Sequence, residues 1–379
     1  MKICMISDPM ASYPEKSYHS SSIQLNHMVD GLLELGHDID LVIGSGENID
    51  NIEGLKIFDY PNRYVDLGDK LNDHRHQATN DFFHNRVIGV LRDNMGEYDI
   101  IHVHDTNLFN KLKLIDDLNT PILYTLHVSI DYDDSNETYM SAPYLQDTVD
   151  KTEGNYFTAM SNFVKDNSVK NADKIYVVYN GIDLDMFSFE ENKEDFFIFV
   201  GRVSDKKGFS YILDALDHYD FNIKIAGPLM YNNDSDNDTL NVDGRLRNYN
   251  IEEYFNRSNV EYLGILDHDR VSEYLSKAKG LIHLHEWGEG FSMAIAESLS
   301  CGTPVLSTDR GGPGHYLLDG YDSIVLEGET FKDPIKVVSS LKDLENIKPE
   351  NCRISAERFD KNKLGNQYEE VYRDILENM

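Results

Sequence analysis

The chain is predicted to fold as two doubly wound α/β domains. Three observations predict this. Its 379 residues exceed one ordinary domain and suit two of about 180. Short apolar runs rich in β-branched and aromatic residues alternate with stretches of helical spacing, the pattern of strands joined by crossover helices. Several of the runs end in polar residues, as strands do where they meet the ligand crevice of an open sheet. A hydrophobic content of 40% is ample for two cores.

In the first half, Lys2 to Ser7 reads as a buried strand. Ser22 to Leu35 reads as a helix, with Ile23, Met28, Leu32 and Leu33 at helical spacing and Gly36-His37 ending it. Ile39 to Ile43, Ile100 to His104 and Ile122 to His127 follow as strands, which places His104, Asp105 and His127 at carboxyl ends, where ligands gather. A hinge near Asn180 leads into the second half. Its strands are Phe196 to Val200, Ile223 to Ala226, Val260 to Leu263 and Gly280 to Leu284. The Asn/Asp-rich stretch Tyr231 to Gly244 reads as an exposed loop, and no repeat recurs at a fixed period. The expected division is 1–180, 181–355, and a closing helix over 356–379 that packs back on the first domain.

Charge and cysteine usage narrow the function. With 35 Lys and Arg against 67 Asp and Glu, the net charge is −32. The basic residues are dispersed, so no basic amphipathic face for anionic lipids is evident. Acidic clusters stand at Asp131 to Asp134 and Asp234 to Asp238. This balance disfavours nonspecific DNA binding, which relies on phosphate neutralisation, while leaving a local basic groove open. Met1 to Met10 lacks the basic region and longer apolar run of a signal peptide, and no run approaches the 18 or so residues that span a bilayer. Cys4, Cys301 and Cys352 lie far apart, as buried thiols of a reducing cytosol do, and no close pair suggests zinc. A soluble cytoplasmic protein without a transmembrane segment is expected.

The most informative stretch runs from Glu286 to Gly320. Gly290 is expected to turn the chain sharply into a short apolar helix starting near Ser292. A helix start leaves backbone N–H groups without partners and carries partial positive charge, so it suits a phosphate. Glu289 precedes that end. Glu297 follows eight positions later, about 80° past two full turns, so it need not point at solvent. The helix stops at Cys301-Gly302, a strand follows through Pro304 to Leu306, and Gly311-Gly312 is expected to offer further backbone N–H groups to an anion. Upstream, Arg202 and Lys207 follow an apolar strand directly, where a guanidinium and an ammonium can hold phosphate oxygens.

These elements resemble the donor-site signature of retaining glycosyltransferases of the GT-B fold, glycosyltransferase family 4. The resemblance rests on E-x7-E with its small-residue helix, on CGTPV and on the late glycine pair. It extends to Gly201-Arg202 with Lys206-Lys207-Gly208, to Asn180-Gly181-Ile182-Asp183 with Phe187, and to Glu261-Tyr262-Leu263-Gly264. Arg358-Phe359 and Tyr368 to Tyr372 resemble the family's closing helix. The match is strong over about residues 175–379 and looser before.

The resemblance implies two Rossmann-like domains around an interdomain cleft. It also implies transfer of a sugar, anomeric configuration kept, from a nucleoside diphosphate sugar (UDP- or GDP-linked) to an acceptor hydroxyl. Arg202 and Lys207 would hold the diphosphate, Glu297 the ribose hydroxyls and Glu289 the transferred sugar. Gly290, Gly311, Gly312 and the backbone of Phe291, Ser292 and Met293 would line the donor. His127 would lie near the reacting carbon, with His104 and Asp105 on the acceptor side.

Two departures stand out. Ser20-Ser21-Ser22 occupies the approximate place of a glycine pair in the first loop, making Ser21 and Ser22 acceptor-side candidates. Pro313-Gly314-His315 stands where an acidic residue is usual. Asp131-Tyr132-Asp133 is similar to the metal-binding DxD of the other glycosyltransferase fold, but in so acidic a chain it reads as coincidence, and no metal or other cofactor is expected. The acceptor is open among small molecules, glycans and lipid-linked sugars. A glucosyltransferase acting on modified DNA bases, a sugar-nucleotide epimerase and an inactive nucleotide-sugar-binding protein are alternatives.

Overall fold

The structure is a computed structural model that describes residues 1–9, 11–14, 20–46, 52–60, 73–112, 115, 117–127, 155–168, 174–229, 245–246 and 249–378. The clusters at Asp131 to Asp134 and Asp234 to Asp238, the Asp131-Tyr132-Asp133 motif and the stretch Tyr231 to Gly244 lie outside them. The chain divides into two units. The first comprises Met1–Gly181 and the returning segment Lys361–Met379, and the second comprises Ile182–Asp360. The closing segment thus begins at Lys361, where residue 356 was expected.

The first unit is built on seven parallel strands: β1 (Lys2–Ile6), β2 (Asp38–Ile43), β3 (Leu55–Asp59), β4 (Ile100–Val103), β5 (Ile122–Leu126), β6 (Asn155–Ala159) and β7 (Lys174–Val177). Their order is β3-β2-β1-β4-β5-β6-β7, so the winding reverses between β1 and β4. Strand β1 reads KICMI, with Ile3 to Ile6 fully buried, as a central parallel strand covered on both faces requires. Helix α1 (Ser20–Glu34) buries Leu25, Met28, Val29 and Leu32, and α2 (Asp73–Asp93) links β3 to β4. Serines 20 to 22 form its first turn, so the expected loop and the expected start at Ser22 are both corrected.

The last helix, α7 (Leu364–Glu377), returns to this unit and buries Leu364, Tyr368, Val371, Tyr372 and Ile375 in the same core. A Cβ on Gly365 would lie 2.5 Å from the Gly31 carbonyl oxygen, so α1 and α7 meet backbone to backbone.

The second unit holds six parallel strands: β8 (Phe197–Val200), β9 (Ile223–Ala226), β10 (Val260–Gly264), β11 (Gly280–His283), β12 (Val305–Thr308) and β13 (Ser323–Leu326). Their order is β10-β9-β8-β11-β12-β13, and the winding reverses between β8 and β11. Helix α3 (Phe209–His218) covers one face, its Phe209 ring edge-on to Phe199 at 5.1 Å. Helices α4 (His268–Lys277) and α5 (Met293–Ser300) are crossovers of this unit, and α6 (Pro334–Leu344) follows its last strand. Asp267 caps α4 by accepting from the Arg270 N–H at 2.9 Å. Among the described residues, no helix is long and apolar enough to cross a membrane.

Candidate active site

In an open parallel sheet, the strand ends diverge where the winding reverses, leaving a crevice at the carboxyl edge. In the second unit that edge receives three loops. Gly201 to Lys207 follows β8, His285 to Phe291 follows β11, and Asp309 to Gly312 follows β12.

The first two loops are tied together by glycine. Gly208 has φ +73°, and a Cβ there would lie 1.8 Å from the Leu284 carbonyl oxygen. Only glycine lets the turn after Lys206-Lys207 rest on the end of β11. The Glu286 N–H then donates to the Lys206 carbonyl at 3.0 Å. As a result, Lys207 Nζ forms a close ion pair with Glu289 Oε2 and stands 5.3 Å from the centre of the Trp287 ring. Both members of the pair are largely withdrawn from water, which strengthens their attraction and makes either one alone costly. Arg202 is exposed and makes no ion pair among the described residues.

The loop carrying Glu289 is held from the other side by the third loop. Gly312 N–H donates to the Glu289 carbonyl at 2.7 Å, Arg310 Nη1 to the Glu286 carbonyl at 2.8 Å, and His285 Nε2 to the Arg310 carbonyl at 2.7 Å. Gly311 has φ +72°, and a Cβ there would sit 2.3 Å from the Glu289 carbonyl oxygen. Two expectations are corrected. The left-handed turn belongs to Gly311, whereas Gly290 is not among the glycines of positive φ. The Gly312 N–H is spent on Glu289 and is not offered to an anion.

Ser292 is the N-cap of α5, with φ −97° and ψ 112°. Its N–H donates to the Tyr316 hydroxyl at 3.3 Å, so this amide too is not directed at a ligand as expected. The Phe291 ring packs on Tyr316 and Phe359, at 5.4 and 5.2 Å, and so belongs to the core, while Met293 is half-buried. Glu297 is only 7% exposed, and its carboxylate has no hydrogen-bond partner among the described residues. Burial raises its pKa from 4.5 to about 7. A buried carboxylate without a donor is able to accept hydrogen bonds from hydroxyl groups.

Sequence reasoning missed His283 and His285, which line up beneath the loop. Their Nδ1 atoms are 3.0 Å apart, and His283 Nε2 lies 3.1 Å from Ser292 Oγ. Burial lowers both imidazole pKa values. The alternation His-Leu-His read only as the end of a strand.

In the first unit, the loops after β4 and β5 bring His104 and His127 together, His104 Nδ1 lying 3.1 Å from His127 Nε2. Burial pushes His127 down to about 4 and His104 well below its ordinary value, so both are uncharged at neutral pH. Behind them, His102 is held by the Tyr372 hydroxyl and Thr125 Oγ1, each at 2.7 Å. The expected roles of Asp105 and Ser22 are corrected. Asp105 Oδ2 takes the His84 Nε2 at 2.7 Å, and Oδ1 caps a short 3-10 turn by accepting from Asn107 N–H at 2.9 Å. Ser22 is fully buried, its hydroxyl accepting from the Ser12 N–H at 3.0 Å. Both side chains hold the scaffold. Ser21 is half-buried on the first turn of α1. Among the described residues, no group of three or more His, Cys, Asp or Glu side chains is placed to hold a metal ion.

Two family models match the chain: "Glycosyl transferases group 1" over residues 182–362 and "Glycosyltransferase Family 4" over residues 22–186. An uncharacterised glycosyltransferase of Methanocaldococcus jannaschii is 27% identical over 233 residues, which are 59% of this chain and 61% of that one. Among solved structures, sucrose-phosphate synthase of Thermosynechococcus elongatus has a TM-score of 0.77 at 16% identity, covering all of both chains. HepE of Anabaena, in complex with UDP-glucose, has a TM-score of 0.67 at 14% identity, covering 99% of this chain and 100% of that one. At such identities the structural likeness is one of fold, two Rossmann-like domains. Since the family models together run from residue 22 to residue 362 on that same architecture, the chain belongs to the family 4 glycosyltransferases of the GT-B fold.

Proposed function

We propose that the enzyme transfers a hexose from a UDP- or GDP-sugar to an acceptor hydroxyl and retains the anomeric configuration. The observation that carries this reading is the carboxyl edge of the second unit. There the Lys207–Glu289 pair, the exposed Arg202 and the buried, unpartnered Glu297 follow the strands that flank the reversal. Arg202 and Lys207 supply the positive charge that strengthens as the diphosphate departs, the condition for lowering the barrier. Glu297 accepts from the ribose hydroxyls, and Glu289, steadied by Lys207, accepts from the transferred sugar. Retention follows from same-face attack assisted by the leaving phosphate. Glu289 is engaged by an ammonium, which suits it to holding the sugar better than to attacking it as retaining glycosidases do.

His127 and His104 form an uncharged imidazole pair in the first unit, able to accept a hydrogen bond from an acceptor hydroxyl. A small-molecule, glycan or lipid-linked acceptor fits this chemistry. The UDP-glucose held by HepE supports a uridine or comparable nucleotide as donor.

A thermal-shift panel of UDP-, GDP-, ADP- and dTDP-sugars tests the reading. A bound donor at one hundred times its Kd stabilises by about 2.7 kcal/mol, so one base is expected to raise the Tm and the others to leave it unchanged. No shift with any nucleotide sugar overturns the proposal. A shift without turnover across a panel of acceptors supports a binding protein instead.

A further inference from the structure

A serine at a helix N-cap ordinarily turns its hydroxyl to the N2 or N3 amide. Ser161 does so here, accepting from the Val164 N–H at 3.2 Å, and the N-cap residues Asn250, Asp267 and Asp333 make equivalent bonds. Ser292 has the extended backbone of an N-cap yet makes no capping bond. Its hydroxyl is turned instead to His283 Nε2, at 3.1 Å.

The far end of that chain sets the direction of each hydrogen bond in it. The Arg310 carbonyl can only accept, so His285 Nε2, at 2.7 Å, carries a proton. Burial keeps His285 uncharged, which leaves its Nδ1 bare. His283 Nδ1, 3.0 Å away, must therefore donate to it, and its own Nε2 is left bare. Ser292 Oγ–H donates to that nitrogen. The 3.2 Å approach of His285 Nδ1 to the His283 carbonyl is then a contact and not a bond. Thr308 Oγ1 closes the chain by donating to the His285 carbonyl at 2.9 Å. Three residues, His283 on β11, His285 in the loop after it and Thr308 on β12, thus fix the rotamer of the Ser292 hydroxyl.

We propose that His283, its tautomer set by His285, is a positioning residue that withholds the Ser292 hydroxyl from the first amides of α5, leaving that helix start for the anionic part of the donor. The inference rests on the donor reading above and adds the device that keeps the proposed site open. Without His283, the hydroxyl would swing to Ala294 or Ile295 and compete with the ligand for the same donors.

The test is a double-substitution cycle. UDP and GDP are each titrated calorimetrically onto the wild type, His283→Leu, Ser292→Ala and His283→Leu/Ser292→Ala. A cap of ordinary strength competes by about fivefold in Kd, so His283→Leu is expected to weaken binding about fivefold when Ser292 is present and not at all when residue 292 is alanine. His283→Gln, whose amide reaches the position of Nε2, is expected to restore the wild-type Kd. An equal effect of His283→Leu in both backgrounds means that the residue only supports the fold, and overturns the proposal. Amide exchange in the 291–296 segment of the free protein tests the device without any nucleotide. Protection is expected to rise in His283→Leu and to return to the wild-type level in the double variant, and unchanged exchange overturns the inference even where nucleotide binds. Wild-type protein that binds neither nucleotide sinks the donor reading and this inference with it. Should His283→Leu not fold, His283→Asn, whose amide reaches only the position of Nδ1, carries the same cycle.

Discussion

Glu297 links pH to both stability and ligand binding, and replacing it with glutamine exposes the link. The residue is 93% withdrawn from solvent, and its carboxyl, without a hydrogen-bond partner among the described residues, is raised from 4.5 to about 7 by burial. A group whose folded pKa is raised contributes its full stability below the unfolded pKa and loses it as pH climbs through the folded one. The interval from 4.5 to about 7, at 1.36 kcal/mol per pH unit, amounts to about 3 kcal/mol, most of which falls between pH 5 and pH 8. Wild type is therefore expected to lose on the order of 2 to 3 kcal/mol relative to Glu297→Gln over that range, beyond any change the two share. Denaturant unfolding followed through Trp287, the sole tryptophan, reads the unit that holds Glu297. Ribose hydroxyls donating to the carboxylate would favour its ionised form, so nucleotide affinity is expected to rise with pH through 7 in the wild type and to stay flat in the variant. A stability difference that is the same at pH 5 and pH 8 refutes the reasoning, because the carboxyl would then ionise as freely in the folded protein as in the unfolded chain.

Other perturbations test the remaining parts. Lys207→Met leaves Glu289 buried without its cation and is expected to cost about 3 kcal/mol, most of it recovered by adding Glu289→Gln; calorimetry of the three variants checks this, and additive losses count against a coupled pair. Gly311→Ala forces a Cβ to within 2.3 Å of the Glu289 carbonyl at φ +72° and is expected to cost about 2 kcal/mol or more, with a matching loss of transfer activity; an unaltered Tm shows the two loops can part freely. With Arg202 and Lys207 in their proposed cationic roles, transfer is expected to survive EDTA, and activity restored only by added Mg²⁺ or Mn²⁺ counts against that assignment.

Much of the fold was legible because parallel strands buried on both faces leave unbroken apolar runs. Phe197–Val200 and Ile3–Ile6 stand out for that reason. Glycines marked the loops of the second unit correctly as a group, but not their individual tasks. Whether Gly290 or Gly311 takes the left-handed turn depends on which one lies under the Glu289 backbone, a contact made 22 positions apart that no local pattern reports. Asp105 failed for a similar reason. A strand-end carboxylate looks available for a ligand until the fold brings His84 to it from a helix 21 residues earlier. Serines 20 and 21 extend the helix read from Ser22, in keeping with serine's preference for helix starts, where the resemblance implies a glycine loop. His283 and His285 carried no signal at all, since a buried histidine in a strand looks like any other core residue until its partners are in place.

The central claim is that the carboxyl edge of the second unit holds a nucleoside diphosphate sugar through Lys207. Titrating UDP- and GDP-sugars onto the wild type and Lys207→Met, followed by Trp287 fluorescence and calorimetry, tests it most directly. The Nζ atom stands 5.3 Å from the indole ring, so a diphosphate drawing on that cation changes the ring's surroundings. The expected result is saturable quenching in the wild type by one of the two, with a Kd at least about tenfold weaker in the variant, the loss of one charge-assisted contact. Equal affinity for wild type and variant, or no saturable binding by either, would contradict the account.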